Sequence, residues 1–161
     1  MFKVSFKDDC MKVQTFNDRA TIVTMVGKLS MPDEIWDGMS SKIADWMWHH
    51  PSVDVQWGNG TKYIQEFRLE FSGKSVCSQD DTFDAETGRR IAESRAKVRL
   101  YRFMANLCDQ LATHYIAFLY GHGVKSTGAD IINDGIIKDL KKYQELCIKE
   151  SHHLGKLLEE A

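Results

Sequence analysis

The chain has 161 residues and a formal net charge of −2, which suits one domain with a hydrophobic core and argues against a protein coated in nucleic acid. No apolar run is long enough to span a bilayer, and the N-terminal segment MFKVSFKDD lacks the apolar core of a signal peptide. The four cysteines are scattered and form no CxxC pair, so we expect reduced thiols in a soluble intracellular protein: Cys10, Cys77, Cys108 and Cys147.

The first fifty residues predict short strands followed by a helix. Apolar and polar residues alternate over positions 2–6, and a second short strand is indicated at 13–16. Residues 20–30 are rich in Thr, Ile and Val, which predicts a longer strand. Ser30 is a candidate N-cap for a helix that ends at His50, directly before a proline.

This helix carries apolar side chains around most of its circumference. Its core face consists of Ile35, Met39, Ile43, Trp46 and Met47. Trp36 and Trp48 lie outside that face. Such a helix packs between two layers of one protein or covers a second subunit, so we expect a homo-oligomer built from dimers.

A β-hairpin is predicted next. Residues 53–57 alternate, and the Gly-Asn-Gly segment at 58–60 tolerates the positive φ angles of a tight turn. The return strand covers 61–71, with alternating apolar and charged side chains. Gly73 allows a turn after it, and 74–77 is predicted to be a short edge segment.

The rest of the chain is predicted to be helical. A central helix spans 85–120, with a core stripe of Ala92, Ala96, Leu100, Phe103, Leu107, Leu111, Tyr115 and Phe118. The Gly-His-Gly segment at 121–123 ends it. A last helix begins at Ile131 or Ile136 and ends at Leu158.

These elements predict an α+β fold in a single domain over 1–161. An antiparallel sheet packs on the long central helix, with additional helices before and after it. Residues 1–84 are expected to be mostly β with one helix, and residues 85–161 helical.

The central helix begins with a concentration of positive charge. Between positions 89 and 102 only Glu93 opposes six basic residues, which are Arg89, Arg90, Arg95, Lys97, Arg99 and Arg102. Arg95, Arg99 and Arg102 are spaced i, i+4 and i+7, which places them on one stripe where they repel each other by roughly a few tenths of a kcal/mol per pair. The stripe is either a solvated face with internal salt bridges or a site for an anionic ligand.

Other chemistries have weaker signals. The six histidines include two adjacent pairs, which point in different directions on a helix, so no metal site is predicted. No nucleophile signature or phosphate loop is present, and Asp80 and Asp81 fit a helix cap better than an acid–base pair, so no enzymatic activity is expected. A hairpin packed on a basic helix is compatible with RNA binding, but no aromatic residues are interleaved with the basic ones, which makes nucleic acid the weaker interpretation.

A small anionic ligand fits the basic stripe better. Arginines supply forked donors suited to phosphate, polar turn residues precede the helix, and its first amides are further anion donors. A nearby aromatic ring is available to stack on a base. The candidate ligand-binding residues are Phe67, Ser78, Gln79, Phe83, Arg95, Arg99 and Arg102. No cofactor is predicted.

The segment 73–96, GKSVCSQDDTFDAETGRRIAESRA, resembles a block found in small phage proteins. In that block a strand ends in Cys and is followed by an Asp-Asp-x-Phe-Asp turn, a Gly and Ile-Ala-x-x-Arg-Ala on a helix. A related block occurs in a bacterial domain of unknown function with double-stranded-RNA-binding-like topology. Among phage proteins of this layout, the chain resembles the anti-Thoeris sponge family, with a match over about a sixth of its length.

This resemblance implies a counter-defence protein of the host cytoplasm that binds cyclic ADP-ribose isomers, made by host TIR immune enzymes, without cleaving them. Pockets at subunit interfaces would use aromatic, amide and arginine side chains, here Phe67, Ser78 or Gln79, and Arg95. The pair Ser78-Gln79 stands where relatives often have His/Asn-Pro. The alternative is a double-stranded-RNA-binding-like module that contacts nucleic acid or a host protein.

Overall fold

A computed structural model describes residues 3–17, 19–54, 64–78, 82, 84–122 and 127–161, with the helical backbone alone described for 117–122 and 127–133. Its elements are β1 (Ser5–Phe16), β2 (Ala20–Pro32), α1 (Asp33–Asp37), α2 (Ser41–His49), β3 (Val53–Asp54), β4 (Ile64–Val76), α3 (Ala85–His122) and α4 (Thr127–Glu160). The predicted α+β class is confirmed, because an antiparallel sheet packs on a long central helix with helices before and after it.

The four strands form one sheet in the order β1-β2-β4-β3. β2 pairs with β4 over its full length, from Ala20 opposite Val76 to Pro32 opposite Ile64. Alternate residues of β2 and β4 face the helices and are buried, namely Val23, Met25, Leu29, Met31, Phe67, Leu69 and Phe71. They pack against buried side chains of α3, which include Ala96, Leu100, Phe103, Met104 and Leu107. The hydrophobic core therefore lies between one face of the sheet and α3.

Gly73 of β4 allows α3 to approach the sheet very closely. A Cβ atom on Gly73 would lie 2.0 Å from the carbonyl oxygen of Ala92 and 2.6 Å from the amide nitrogen of Ala96. Both alanines are fully buried, so small residues meet on both sides of this contact. The prediction that Gly73 turns the chain is wrong, because β4 continues through it to Val76 and its glycine serves helix packing instead.

The edge of β1 is joined to α4 at the start of the strand. The amide of Val4 donates to Asp139 Oδ2 at 2.8 Å, and the amide of Phe6 donates to the Tyr143 hydroxyl at 3.1 Å. Asp139 and Tyr143 are one helical turn apart, whereas Val4 and Phe6 are two strand positions apart, so the two spacings match. Side chains of α4 thus satisfy backbone donors that the sheet leaves open.

Several predicted boundaries are corrected. One strand, Ser5–Phe16, replaces the two expected at 2–6 and 13–16, and β2 extends past Ser30 to Pro32 because it has partners there on β4. Ser30 is therefore a strand residue and caps no helix. The last helix starts earlier than expected, at Thr127.

The helix predicted between Ser30 and His50 is two helices. Gly38 ends the first, and the Ser40 side chain accepts a hydrogen bond from the amide of Ile43 to begin the second. The expectation of one helix within 1–84 is thus wrong. The central helix is confirmed with a two-residue extension to His122, whereas the turn at 58–60 lies outside the described residues. No helix within the described part of the chain is long and apolar enough to cross a membrane.

Candidate functional site

Two arginines of the predicted stripe bind the backbone of β4. Arg95 Nη1 donates to the carbonyl of Lys74, and Arg99 Nη1 donates to the carbonyl of Ser72 at 3.0 Å. Four residues of a helix rise about 6.0 Å and two residues of a strand about 6.8 Å, so the i, i+4 arginines match alternate carbonyls. These carbonyls lie on the edge of β4 beyond the described part of β3, which pairs with Arg68 and Leu69. The two arginines therefore cap an open sheet edge.

The other basic residues of α3 either form ion pairs with acidic side chains or, in the case of Arg102, have no described partner. Arg89 and Arg90 form ion pairs with Glu86, and Lys97 pairs with Glu93. These pairs confirm the solvated-face interpretation for that part of the helix. Arg102 makes no ion pair or hydrogen bond to any described residue and is exposed. It is the member of the stripe whose whole guanidinium group has no partner among the described residues.

Arg102 lines a cleft of about 310 Å³, which we call the α2–α3 cleft. Its walls come from the end of α2 and the following turn, from β4 and from α3. The lining residues are Trp46, His50, Pro51, Ser52, Phe71, Arg99, Arg102, Phe103 and Asn106. Two of the predicted site residues, Arg99 and Arg102, thus share one concave site.

Aromatic rings form the floor of the α2–α3 cleft. Trp46 stacks on Phe103 with ring centroids 5.2 Å apart and an interplanar angle of 16°. Phe71 also contacts the Phe103 ring, at 5.4 Å. Phe71 and Phe103 are buried, whereas Trp46 is half-buried and retains part of its surface in the cleft. An apolar floor below basic side chains suits a ligand that has a flat ring and an anionic group.

His50 is held in one tautomer at the side of the α2–α3 cleft. Its Nδ1 accepts a hydrogen bond from the Ser52 amide at 3.1 Å, so the neutral ring carries its proton on Nε2. Burial lowers the pKa of His50, which keeps the ring neutral at physiological pH. Together with the Asn106 amide and the two guanidinium groups, it makes the cleft rich in hydrogen-bond donors.

Two further predicted site residues, Phe67 and Ser78, lie away from this cleft. Phe67 is buried in the core, where its ring lies 5.1 Å from that of Trp36. Ser78 lines a different cavity of about 370 Å³, next to Arg19, whose Nη1 donates to the Ser78 carbonyl at 3.4 Å. Gln79 and Phe83 lie outside the described residues. Sequence reasoning therefore grouped residues that the fold separates.

The N-terminus of α3 is capped by its own chain. Asp84 Oδ1 accepts hydrogen bonds from the amides of Glu86 at 3.0 Å and Thr87 at 3.4 Å. The Thr87 hydroxyl donates to Asp84 Oδ2, and this bond is the main reason that the pKa of Asp84 is lowered. Asp84 is thus the cap, whereas Asp80 and Asp81, for which a capping role was expected, lie outside the described residues. The amides proposed as anion donors already have an anionic partner.

Sequence reasoning missed Trp46, His50 and Asn106 as site residues. One signal was present, because Arg99, Arg102 and Asn106 are spaced i, i+3 and i+7 and therefore lie on one face of α3. No local pattern indicated that the end of α2 would lie beside that face, since this contact is set by tertiary packing.

Within the described residues, no three His, Cys, Asp or Glu side chains cluster as a metal site. Comparisons with protein-family models, with curated proteins and with solved structures found no match to the chain.

Proposed function

We propose that the protein binds and sequesters a small cyclic nucleotide through the α2–α3 cleft. The observation that carries the proposal is the combination of Arg102, which has no partner among the described residues, with an aromatic floor and neutral donors in a site of about 310 Å³. Phosphate groups bind arginine through charge-assisted hydrogen bonds, and a base stacks on an aromatic surface. Both parts of a nucleotide thus have a matching surface.

The ligand class follows from the charges of the cleft. Two of its nine lining residues are arginines and none is acidic, so its charge favours an anion over a cation. Arg99 already donates one Nη1 hydrogen to Ser72, which leaves its other guanidinium donors for a second phosphate oxygen. A diphosphate-containing nucleotide, such as a cyclic ADP-ribose isomer, supplies enough oxygens for both arginines.

Binding without cleavage is the mode that we propose. His50 is the titratable base of the cleft, and its Nδ1 already accepts the Ser52 amide. Its neutral ring therefore presents a donor, Nε2–H, rather than a proton acceptor. Together with the resemblance of residues 73–96 to phage proteins, this supports a counter-defence protein that sequesters a nucleotide immune signal in the host cytoplasm.

Oligomerisation is part of the same proposal. Fewer exposed apolar side chains support it than the sequence indicated. Trp36 packs on Phe67 and Trp46 stacks on Phe103, so two of the three tryptophans of this region have partners within the chain. Trp48 remains 57% exposed on α2. A dimer that covers Trp48 would also lie next to the α2–α3 cleft, since Trp46 is on the same helix.

The test is calorimetric titration of the protein with cyclic ADP-ribose isomers, followed by chromatography of the ligand recovered after denaturation. We expect tight binding and intact ligand. Arg102→Gln should weaken binding by about 10- to 100-fold, because a phosphate loses a charge-assisted partner. Arg90→Gln is the matched control, since Arg90 is an exposed arginine of the same helix that is paired with Glu86 outside the cleft.

Three results would contradict the proposal. Equal ligand affinities of the Arg102→Gln and Arg90→Gln variants would show that the ligand binds at another site. Recovery of a cleaved nucleotide would indicate an enzyme. Binding to an RNA duplex with an affinity that falls steeply with salt, and no binding of the cyclic nucleotides, would favour the double-stranded-RNA-binding-like alternative.

A further inference from the structure

Among the described residues, side chains of α4 cover the free edge of β1 at its beginning. Val4 and Phe6 direct their amides to Asp139 and Tyr143 of α4, as described above. From Lys7 to Phe16, every residue of β1 is exposed. The opposite edge of the sheet, on β4, is capped by Arg95 and Arg99. The second half of β1 is therefore a long stretch of sheet edge that no side chain of the described helix residues caps.

The pairing of β4 with β2 shows in which direction the backbone groups of the second half of β1 point. Glu70 and Ser72 of β4 direct backbone groups away from β2, since the Glu70 amide donates to Ser52 and the Ser72 carbonyl accepts from Arg99. In an antiparallel ladder these directions alternate, so Phe71 and Gly73 bond to their β2 partners Met25 and Val23. The residues between, Thr24 and Ile22, then bond to β1.

Thr24 and Ile22 are paired with Lys12 and Gln14 of β1. The backbone amides and carbonyls of Lys12 and Gln14 thus point to β2. Those of Met11, Val13 and Thr15 point outwards, away from the sheet. The bulge between Asp8 and Cys10 explains why the outward residues are odd-numbered here and even-numbered at Val4 and Phe6. Three consecutive outward positions are available to a further strand.

The side chains of this segment are also open. Met11 and Val13 are 40% and 47% exposed, although their β2 partners Met25 and Val23 are buried. An exposed edge with apolar side chains is a template for another strand, and natural proteins usually protect it. Among the described residues, the start of β1 and the end of β4 have such protection, whereas no capping side chain lies along residues 7–16 of β1.

We propose that this segment of β1 pairs with the same segment of a second copy across a two-fold axis at Val13, which joins two four-stranded sheets into one of eight strands. Antiparallel pairing of outward residues then places Val13 opposite itself and Met11 opposite Thr15 of the second copy. All three outward positions form hydrogen-bonded pairs, for about six new backbone hydrogen bonds. The inference is independent of the ligand proposed above.

Charge selects this register over its neighbours. An axis at Lys12 would place two lysines directly opposite each other, which is destabilising. An axis at Gln14 would leave Met11 without a partner and lose one hydrogen-bonded pair. With the axis at Val13, Lys12 faces Gln14 of the second copy and no like charges meet along 11–15.

The test uses sedimentation of the full chain from micromolar to millimolar concentration. We expect self-association in which the dissociation constant of the β1 contact rises by about tenfold or more in Val13→Pro, because proline removes an outward N–H. The bonds of Lys12 and Gln14 to β2 stay, so the monomer keeps its circular dichroism spectrum. Val13→Thr retains the N–H and the branched shape, and serves as the matched control with a nearly unchanged dissociation constant.

A cross-link reports the register even if Val13→Pro does not fold. In a Cys10→Ser background, Val13→Cys should form a disulfide-linked dimer on mild oxidation, because opposite Cα atoms would be about 5.5 Å apart. A wild-type chain that stays monomeric at millimolar concentration would overturn the proposal. So would a dimer that Val13→Pro leaves unchanged, or a dimer in which Val13→Cys does not cross-link.

Discussion

Asp139 shows how one buried carboxylate links pH to stability. It is 6% exposed and accepts the Val4 amide, and its pKa is raised mainly by burial. Because the folded-state pKa lies above the unfolded value, this group stabilises the fold most below pH 3.8, and that contribution is lost as the pH rises through the raised pKa.

Asp139→Asn keeps an acceptor for the Val4 amide and removes the charge. We therefore expect it to be at least as stable as wild type at neutral pH, with the difference vanishing under acidic conditions. Asp139→Ala should instead lose about 1–3 kcal/mol, because the Val4 amide is left without a partner. Urea denaturation over a pH series measures both, and parallel pH profiles for Asp139→Asn and wild type would contradict this account.

Gly73 provides a second test on the scale of single residues. Gly73→Ala places a methyl group 2.0 Å from the Ala92 carbonyl, so α3 must move, at a cost of about 1–3 kcal/mol in the free energy of unfolding. Gly155→Ala is the matched control, since no atom lies within 4 Å of the new methyl group on α4. It should stabilise the protein by about 0.5–1 kcal/mol through helix propensity. Thermal unfolding that ranks the two variants equally would refute the close contact.

At the scale of elements, both helices pair side chains at i and i+4 with alternate backbone groups of a strand. Arg95 and Arg99 of α3 cap carbonyls of β4, and Asp139 and Tyr143 of α4 cap amides next to and within β1. This pairing fixes where each helix lies along its strand. It also gives two members of the arginine stripe, Arg95 and Arg99, partners within the protein.

The edge-capping role of Arg95 is testable. Arg95→Gln should lower stability by about 0.5–1.5 kcal/mol, since one hydrogen bond to Lys74 is lost, and it should speed amide exchange along 72–76 of β4. It should leave nucleotide affinity within about twofold, because Arg95 does not line the α2–α3 cleft. A large loss of nucleotide affinity with unchanged stability would instead indicate that Arg95 binds the ligand.

The types of most elements were predictable, whereas their junctions were not. Alternation and helical spacing predicted β2 and α3 because each buries one face along its length. Gly73 was read as a turn because a glycine that admits a helix backbone has the same local signal as one that bends a strand. The helix break at Gly38 was missed because the Trp-rich spacing continues across it.

At the scale of the whole molecule, the helices cover one face of the sheet, and the middle of the other face carries polar side chains. That outer face carries the ion pair between Lys28 and Glu66, at 3.3 Å, and the hydrogen bond between Thr24 and Ser72, at 2.8 Å. The one-sided arrangement is typical of antiparallel sheets. The α2–α3 cleft lies at the rim where the helices meet the sheet.

The candidate site was only partly predictable for the same reason. Arg99 and Arg102 were identified because like charges on one stripe are visible in the sequence. Trp46 and His50 come from a segment about fifty positions away, and only the folded chain brings them beside α3. A charge pattern thus indicated one wall of the cleft and gave no information about the other.

The bonds from Val4 to Asp139 and from Phe6 to Tyr143 have a consequence for the order of folding. They join positions 135 and 137 residues apart, which are among the largest separations that a chain of this length allows. Contacts of this kind form late, because a long loop must close before they contribute. During synthesis the first strand therefore emerges long before the helix that covers its edge, and it stays open to other nascent chains throughout that interval.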